Sequence, residues 1–426
     1  MRRVLWAALG AVLAVGAAIY ALNHLDEGGP SVGTIEATPA QITRGAYLAL
    51  AGNCAGCHTQ RGGAPYAGGR AIPTPFGSVF APNLTPDPTG MGGWTGDHFW
   101  AALHNGRSRD GRLLTPAFPY TNYALVSRAD ADALFAYLQS LPPVAAERRP
   151  HELRFPYNTQ IALAAWRALY FRPATFKPNP EQTAAWNRGA YLTQGLGHCN
   201  ACHATRNALG ATGGLEDFSG GMLAALGWYA PSLHKAAEGS VAGWTPAAVA
   251  QWLKTGSAVH GTALGPMSEV ILGSTQHLSD ADLAAMASYL QSLPQHAPTE
   301  KRVDDRPELA LRDLGKKLYA DHCSACHGER GEGGKQEGGA FAYPPLAGNR
   351  LVTMDNPANL LAIIQRGGFA PATAGNPRPY GMPPFAGVLD DTQQAALASY
   401  LRHAWGNEAA DVRPVEVLKL KSQRGG

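Results

Sequence analysis

Apolar residues recur at helical spacing in a few separated stretches of the chain and are sparse between them. Leu134, Phe135 and Leu138 fall in one such run, Ala131 to Ser140, and Leu283, Met286 and Leu290 fall in another, Ala281 to Ser292. A third run, Thr392 to His403, has the same character, and all three contain Tyr-Leu, at Tyr137, Tyr289 and Tyr400. Each is matched upstream by a helix-like segment carrying tyrosine. These are Arg44-Gly45-Ala46-Tyr47-Leu48, Arg188-Gly189-Ala190-Tyr191-Leu192 and Leu314-Gly315-Lys316-Lys317-Leu318-Tyr319. The repeat predicts three helix-bounded units over residues 40–145, 180–298 and 306–410. Between the bounding helices there is little alternation of period two, so the pattern predicts an all-α chain with long loops. Loops of that length need a large ligand in place of the missing core.

Residues 146–179 form a linker containing the apolar stretch Ile161 to Phe171, with Trp166, Leu169 and Tyr170. That stretch reads either as a helix packing between the first two units or as a docking surface for a partner subunit. The second linker, 299–305, is charged and reads as a solvated connection, and 411–426 is a tail. At the other end, Arg2 and Arg3 precede Val4 to Leu22, a charge-free run, with Asp26 and Glu27 beyond it. About 20 apolar residues cross a bilayer as a helix, whereas a secretory signal core has about 7–15. The segment 1–28 is therefore a signal or an anchor helix, either retained or cleaved near Gly16-Ala17-Ala18. In both cases the positive-inside rule exports the body to the periplasmic side of the inner membrane.

Composition narrows the class. Among 426 residues, 35 Lys and Arg stand against 32 Asp and Glu, and charged residues make up 16%. That near-balance gives no basis for expecting the clustered basic surface of a nucleic-acid partner. With 50 Gly, 32 Pro and 45% apolar residues, the chain is turn-rich yet able to bury a core, which excludes disorder.

The six cysteines carry the chemistry. They fall as Cys54-Ala-Gly-Cys57-His58, Cys199-Asn-Ala-Cys202-His203 and Cys323-Ser-Ala-Cys326-His327. C-x-x-C-H is the attachment pattern of c-type haem. Two thiols about one helical turn apart add across the two vinyl groups on one porphyrin edge, and the adjacent imidazole becomes the proximal iron ligand. A zinc site made of two cysteine pairs wants them about 15–20 residues apart. Here the pairs lie more than a hundred residues apart and one would be orphaned. A redox C-x-x-C wants a βαβ setting, and none is visible. The reading is three covalently attached haem c groups, held by Cys54, Cys57, Cys199, Cys202, Cys323 and Cys326, with His58, His203 and His327 on the irons.

Supporting residues follow the same repeat. Downstream of each motif lies a Pro-x-Leu at Pro82, Pro231 and Pro344, whose prolyl carbonyl is placed to accept the proximal histidine's Nδ1 proton. For the sixth iron position, Met267 in Gly-Pro-Met and Met382 in Gly-Met-Pro-Pro stand between turn residues, each before a closing helix. Met222, Met286 and Met354 lie elsewhere in the pattern and read as packing residues. The matching place in the first unit is Thr115-Pro116-Ala117-Phe118-Pro119-Tyr120, and phenylalanine cannot ligate iron. Met91, His98 or His104 would then serve, or that haem is five-coordinate. Gly331-Glu332-Gly333-Gly334 reads as a loop around the cofactor.

With these residues the chain resembles the triheme cytochrome c subunits of membrane-bound bacterial dehydrogenases. The matching motifs are Ala81-Pro82-Asn83-Leu84-Thr85-Pro86-Asp87, Gly92-Gly93-Trp94, Pro116-Ala117-Phe118-Pro119-Tyr120, Trp186-Asn187-Arg188-Gly189-Ala190-Tyr191-Leu192, His198 running into Cys199, and Gly265-Pro266-Met267. The resemblance spans roughly residues 40–408. It implies three tandem class I cytochrome c-like domains. They would pass electrons from a molybdenum, quinoprotein or flavoprotein catalytic subunit to ubiquinone or a terminal oxidase. Phe118 stands where the alcohol and gluconate branch usually offers methionine. Together with Leu153-Arg154-Phe155-Pro156-Tyr157-Asn158, that departure leans toward the branch partnering molybdenum hydroxylases. No triad, paired acid cluster or phosphate loop is present to turn over an organic substrate. The competing expectations are a haem enzyme with an open first site and a free-standing periplasmic carrier.

Overall fold

The computed structural model describes residues 1–24, 37–258, 261–297, 309–335 and 341–422. The charged linker expected at 299–305 lies outside the described residues, as do Asp26 and Glu27. The chain divides into two compact units. The first holds Met1–Pro180 with Tyr191–His198 and Arg206–Leu215, and the second holds Glu181–Ala190, Cys199–Thr205 and Glu216–Gly426.

In the first unit the helices are α1 (Arg2–Asn23), α2 (Pro39–Ala51), α3 (Cys54–His58), α4 (Gly96–Asn105), α5 (Tyr120–Tyr123), α6 (Arg128–Gln139) and α7 (Gln160–Tyr170). Local chemistry sets their ends. Thr38 and Gln41 form a capping box at α2, with Pro39 in its first turn, and the Ser127 hydroxyl accepts from the Asp130 amide at α6. α1 is the helix long and apolar enough to cross a membrane, with a mean hydropathy of 2.1 over its most apolar window. The second unit contributes α8 (Ala184–Ala190), α9 (Asn200–His203), α10 (Pro246–Thr255), α11 (Pro266–Gly273), α12 (Asp280–Gln291), α13 (Leu309–His322), α14 (Ser324–His327), α15 (Arg350–Thr353), α16 (Ala358–Arg366), α17 (Asp391–His403) and α18 (Pro414–Ser422). Among the described residues, strand is confined to short antiparallel pairings such as Ala71–Thr74 with Gly77–Phe80 and Gly368–Phe369 with Gly381–Met382. The fold is therefore predominantly helical.

Three helix pairs carry the architecture: α2 against α6, α8 against α12, and α13 against α17. Each crosses at a glycine. A Cβ on Gly45 would overlap the Ala133 carbonyl and meet Tyr137 Cβ at 2.7 Å. On Gly189 it would overlap the Ala285 carbonyl and meet Tyr289 Cβ at 3.0 Å, and on Gly315 it would overlap the Ala396 carbonyl and meet Tyr400 Cβ at 2.7 Å. The backbones touch because the side chain is missing, and the tyrosine one turn on closes over the gap. An ion pair braces two of these crossings, Arg44 with Asp130 and Arg188 with Asp282. In the second unit, Val352, Leu360, Leu361, Ile364, Leu397 and Leu401 are buried around α16 and α17.

Two later segments complete the first unit. Tyr191–Leu196 forms a π-helical turn, and its Tyr191 hydroxyl donates to Asp130 at 2.7 Å. Asn122 donates to the Gln194 carbonyl at 2.6 Å. α7 packs on α1, and Trp166 Nε1 donates to the Leu209 carbonyl at 2.9 Å.

Candidate functional site

The first two C-x-x-C-H motifs follow a left-handed residue beyond their leading helix. Asn53, in the left-handed region at φ 48°, turns the chain from α2 into α3, and His198 at φ 36° turns it toward α9. The first cysteine of each pair is half-buried or buried, while Cys57 and Cys326 are exposed. Burial, reinforced by the neighbouring cysteine, pushes Cys54 and Cys199 up to about 12 and Cys323 up to about 11. Among the described residues no three His, Cys, Asp or Glu side chains gather as a metal site.

The three histidines share one geometry. His58 Nδ1 donates to the Pro82 carbonyl at 2.9 Å, His203 Nδ1 to Pro231 at 2.7 Å, and His327 Nδ1 to Pro344 at 2.9 Å. A carbonyl only accepts, so the proton sits on Nδ1 and the Nε2 lone pair is left for a ligand. Burial lowers all three below the ordinary imidazole value, with the prolyl bond partly opposing it. Neutral imidazole is the form that binds iron.

A glycine that the sequence did not single out closes each of two arrangements, and a third comes from the Gly-rich loop. Gly68 N–H donates to the His58 carbonyl at 2.8 Å, Gly220 to His203 at 2.7 Å, and Gly333 to His327 at 2.8 Å. All three have positive φ, at 79°, 83° and 71°. A Cβ there would strike the next strand of the loop: Pro82 C at 2.5 Å, Ser232 N at 2.7 Å, and Pro345 N at 2.7 Å. The glycine thus presses the prolyl peptide against the imidazole while satisfying the histidine's own carbonyl. The offset between His and Gly varies from unit to unit, so only the shared hydrogen bond reveals it.

The two methionines lie in different local settings. Met267 is half-buried in the first turn of α11, after Gly265 at φ 57°. Met382 pairs with Gly368 and packs on the apolar cluster that includes Cys323. Met286 and Met354 are core residues, at 4% and 3% exposure, and Met222 Sδ accepts from Asn356 at 3.6 Å.

Phe118 packs in an aromatic cluster with Tyr120, Phe171 and Trp166, its ring centroid 5.2 Å from that of Tyr123. Of the other residues weighed for the first iron, the two histidines have contacts of their own. His98 Nδ1 accepts from the Thr95 amide and caps α4, and His104 stacks on Trp100 at 4.4 Å. Met91 is buried, its backbone tied to Thr85 and to Gln139.

The donor set of two thiols one turn apart beside a tautomer-fixed imidazole fits covalent haem. The class is shown by comparison: the cytochrome c family model matches residues 42–142 and 313–405. The chain is 35% identical to the cytochrome c subunit of the quinone alcohol dehydrogenase of Gluconacetobacter polyoxogenes, over 91% of this chain and 86% of that one. It is also 35% identical to the gluconate 2-dehydrogenase cytochrome c subunit of Pantoea cypripedii, over 91% and 90% respectively. The chain therefore belongs to the family of dehydrogenase cytochrome c subunits, whose cytochrome c domains carry covalently bound haem c. It is 42% identical over 90% of its length to a nicotinate dehydrogenase subunit of Pseudomonas putida, and spans 32% of that longer protein.

Proposed function

We propose that the chain is the electron-transfer subunit of an exported dehydrogenase complex, built as three tandem class I cytochrome c-like domains over residues 40–145, 180–298 and 306–410. Each domain holds one haem c, through Cys54 and Cys57, Cys199 and Cys202, or Cys323 and Cys326. When bound, the group supplies an iron that takes up and gives back one electron at a time. His58, His203 and His327 offer Nε2 to that iron, and the carbonyls of Pro82, Pro231 and Pro344 hold each imidazole in the required tautomer and orientation. Met267 and Met382 would offer thioethers to the irons of the second and third domains, a ligand that favours the reduced state.

The observation that carries this reading is the threefold recurrence of one arrangement, in which histidine, prolyl carbonyl and glycine close on one another behind every C-x-x-C-H. Named relatives are cytochrome subunits that serve alcohol and gluconate dehydrogenases. By analogy a molybdenum, quinoprotein or flavoprotein subunit delivers the electrons here, and ubiquinone or a terminal oxidase receives them. α1 anchors the chain to the inner membrane, with the domains on the periplasmic side.

Alkaline pyridine spectroscopy on the purified chain tests the count, with three haem c per polypeptide expected. Removal of one cysteine pair lowers the value by one. A wild-type value of two, or a pair whose removal leaves it unchanged, overturns the assignment.

A further inference from the structure

α7 presents apolar side chains to the outside: Ile161 is 83% exposed and Leu169 65%, with Tyr170 beside them at 38%. Phe155, a few residues before the helix, is 82% exposed. Its opposite face is buried and polar where it meets α1. Arg167, 3% exposed, donates from Nε to Asn23 Oδ1 at 2.9 Å, and Asn23 Nδ2 donates to the Ala164 carbonyl at 2.9 Å. Arg107 adds a third bond, to the Asn23 carbonyl at 2.6 Å.

These contacts fix the height of α7 along α1. Residues 1–18 of α1 are exposed, and cover begins at Ile19 and reaches Asn23. At about 1.5 Å per residue, that contact spans about 6 Å at the end of the apolar run. An amphipathic helix lying flat in a membrane interface sinks by about 5–10 Å, which is the same depth. Tyr170 is a side chain of the kind that gathers at headgroup level, and its ring lies 5.5 Å from that of Trp166, which faces the protein and donates to Leu209. Apart from the buried Arg167, Leu153 to Pro180 contains the cations Arg154, Arg172 and Lys177 and no acidic residue.

We propose that α7 is an in-plane membrane helix, its Ile161–Leu169 face seated in the outer surface of the bilayer and its other face clamped to the last turn of α1 through Asn23. The proposal rests on α1 being a retained span. The occupant of the exposed face is lipid and not a partner subunit, because the side chains that hold α7 also hold the end of the membrane run. An apolar face at that level meets the acyl boundary before it meets a protein.

The test places the photo-crosslinker p-benzoylphenylalanine singly at Leu9, Ile161, Leu169 or Val388 of the full chain, all exposed positions that tolerate a larger ring. Each variant is reconstituted in phosphatidylethanolamine–phosphatidylglycerol vesicles and analysed by mass spectrometry, and the experiment is repeated in native membranes. Lipid adducts are expected at Leu9, Ile161 and Leu169 and none at Val388. Adducts at Leu9 with none on α7 overturn the proposal and leave the span standing. Adducts at none of the four positions overturn the span, and the proposal falls with it. Adducts from Ile161 and Leu169 to another polypeptide in native membranes assign the face to a partner and overturn the proposal.

Discussion

His203 donates its Nδ1 proton to the Pro231 carbonyl at 2.7 Å, and Gly220 returns a hydrogen bond of the same length to the His203 carbonyl. The imidazole is thereby held from both ends, by its ring and by its backbone. Gly220→Ala puts a Cβ at φ 83°, against the Ser232 amide. The strained backbone costs about 1–3 kcal/mol, read as a lower melting temperature of the haem-loaded protein. Moving the Pro231 carbonyl away weakens electron donation from the imidazole. A redox titration should then show one haem moved to higher potential, by on the order of 60 mV for a tenfold change in relative stabilisation. Gly243→Ala, where a Cβ meets nothing within 4 Å, is the control and should stay within about 0.5 kcal/mol of wild type.

The helix crossings give a second expectation. Gly45→Ala, Gly189→Ala and Gly315→Ala each drive a methyl group into a carbonyl of the facing helix. Overpacking of side chains costs about 1–3 kcal/mol, and a backbone atom yields less readily than a side chain. Each variant should lose at least that much in thermal unfolding. Gly10→Ala on α1, with nothing within 4 Å, should not change it.

Local pattern explains which parts of this arrangement could be read from the sequence. The cysteine–histidine motifs and the Pro-x-Leu segments are short and chemically distinct, and the closing tyrosines repeat at a fixed place in an amphipathic helix. Gly45, Gly189 and Gly315 were visible as members of the leading segments, but their close approach to Ala133, Ala285 and Ala396 joins residues far apart in the chain. Gly68 and Gly220 were missed because loops of different length bring them to the same hydrogen bond. The placement of Tyr191–His198 in the first unit rests on Tyr191 reaching Asp130 and Asn122 reaching Gln194. No periodicity encodes such long-range pairs. The clamp of α7 on α1 through Asn23 was hidden for the same reason.

Met267 and Met382 yield a prediction read by spectrum and potential together. Met267→Ala and Met382→Ala remove a soft sulfur acceptor that stabilises the ferrous state. Each should lower the potential of one haem and abolish that haem's sulfur-to-iron absorption while leaving three haems per chain. Met286→Leu, a volume-conserving change at a core residue, should alter neither signal and should cost less than about 1.5 kcal/mol. A Met382→Ala protein with unchanged potentials would remove Met382 from the iron.

Phe118 decides the behaviour of the first haem. It sits in an aromatic cluster and has no lone pair, His98 Nδ1 is occupied by the Thr95 amide, and His104 lies flat on Trp100. Unless the Met91 thioether reaches it, a haem held by His58 would keep its sixth position open. Carbon monoxide added to the fully reduced protein should therefore change the spectrum by an amount equal to one haem in three. On the proposed ligand set the first haem should also titrate at the lowest potential, because a thioether ligand raises the potential of the haem it binds. Phe118→Met restores a thioether at the equivalent place, so it should abolish the carbon monoxide response and raise that potential. A wild-type protein indifferent to carbon monoxide would show that another side chain fills the position, and Met91→Leu and His104→Gln would then identify it by which one opens the site.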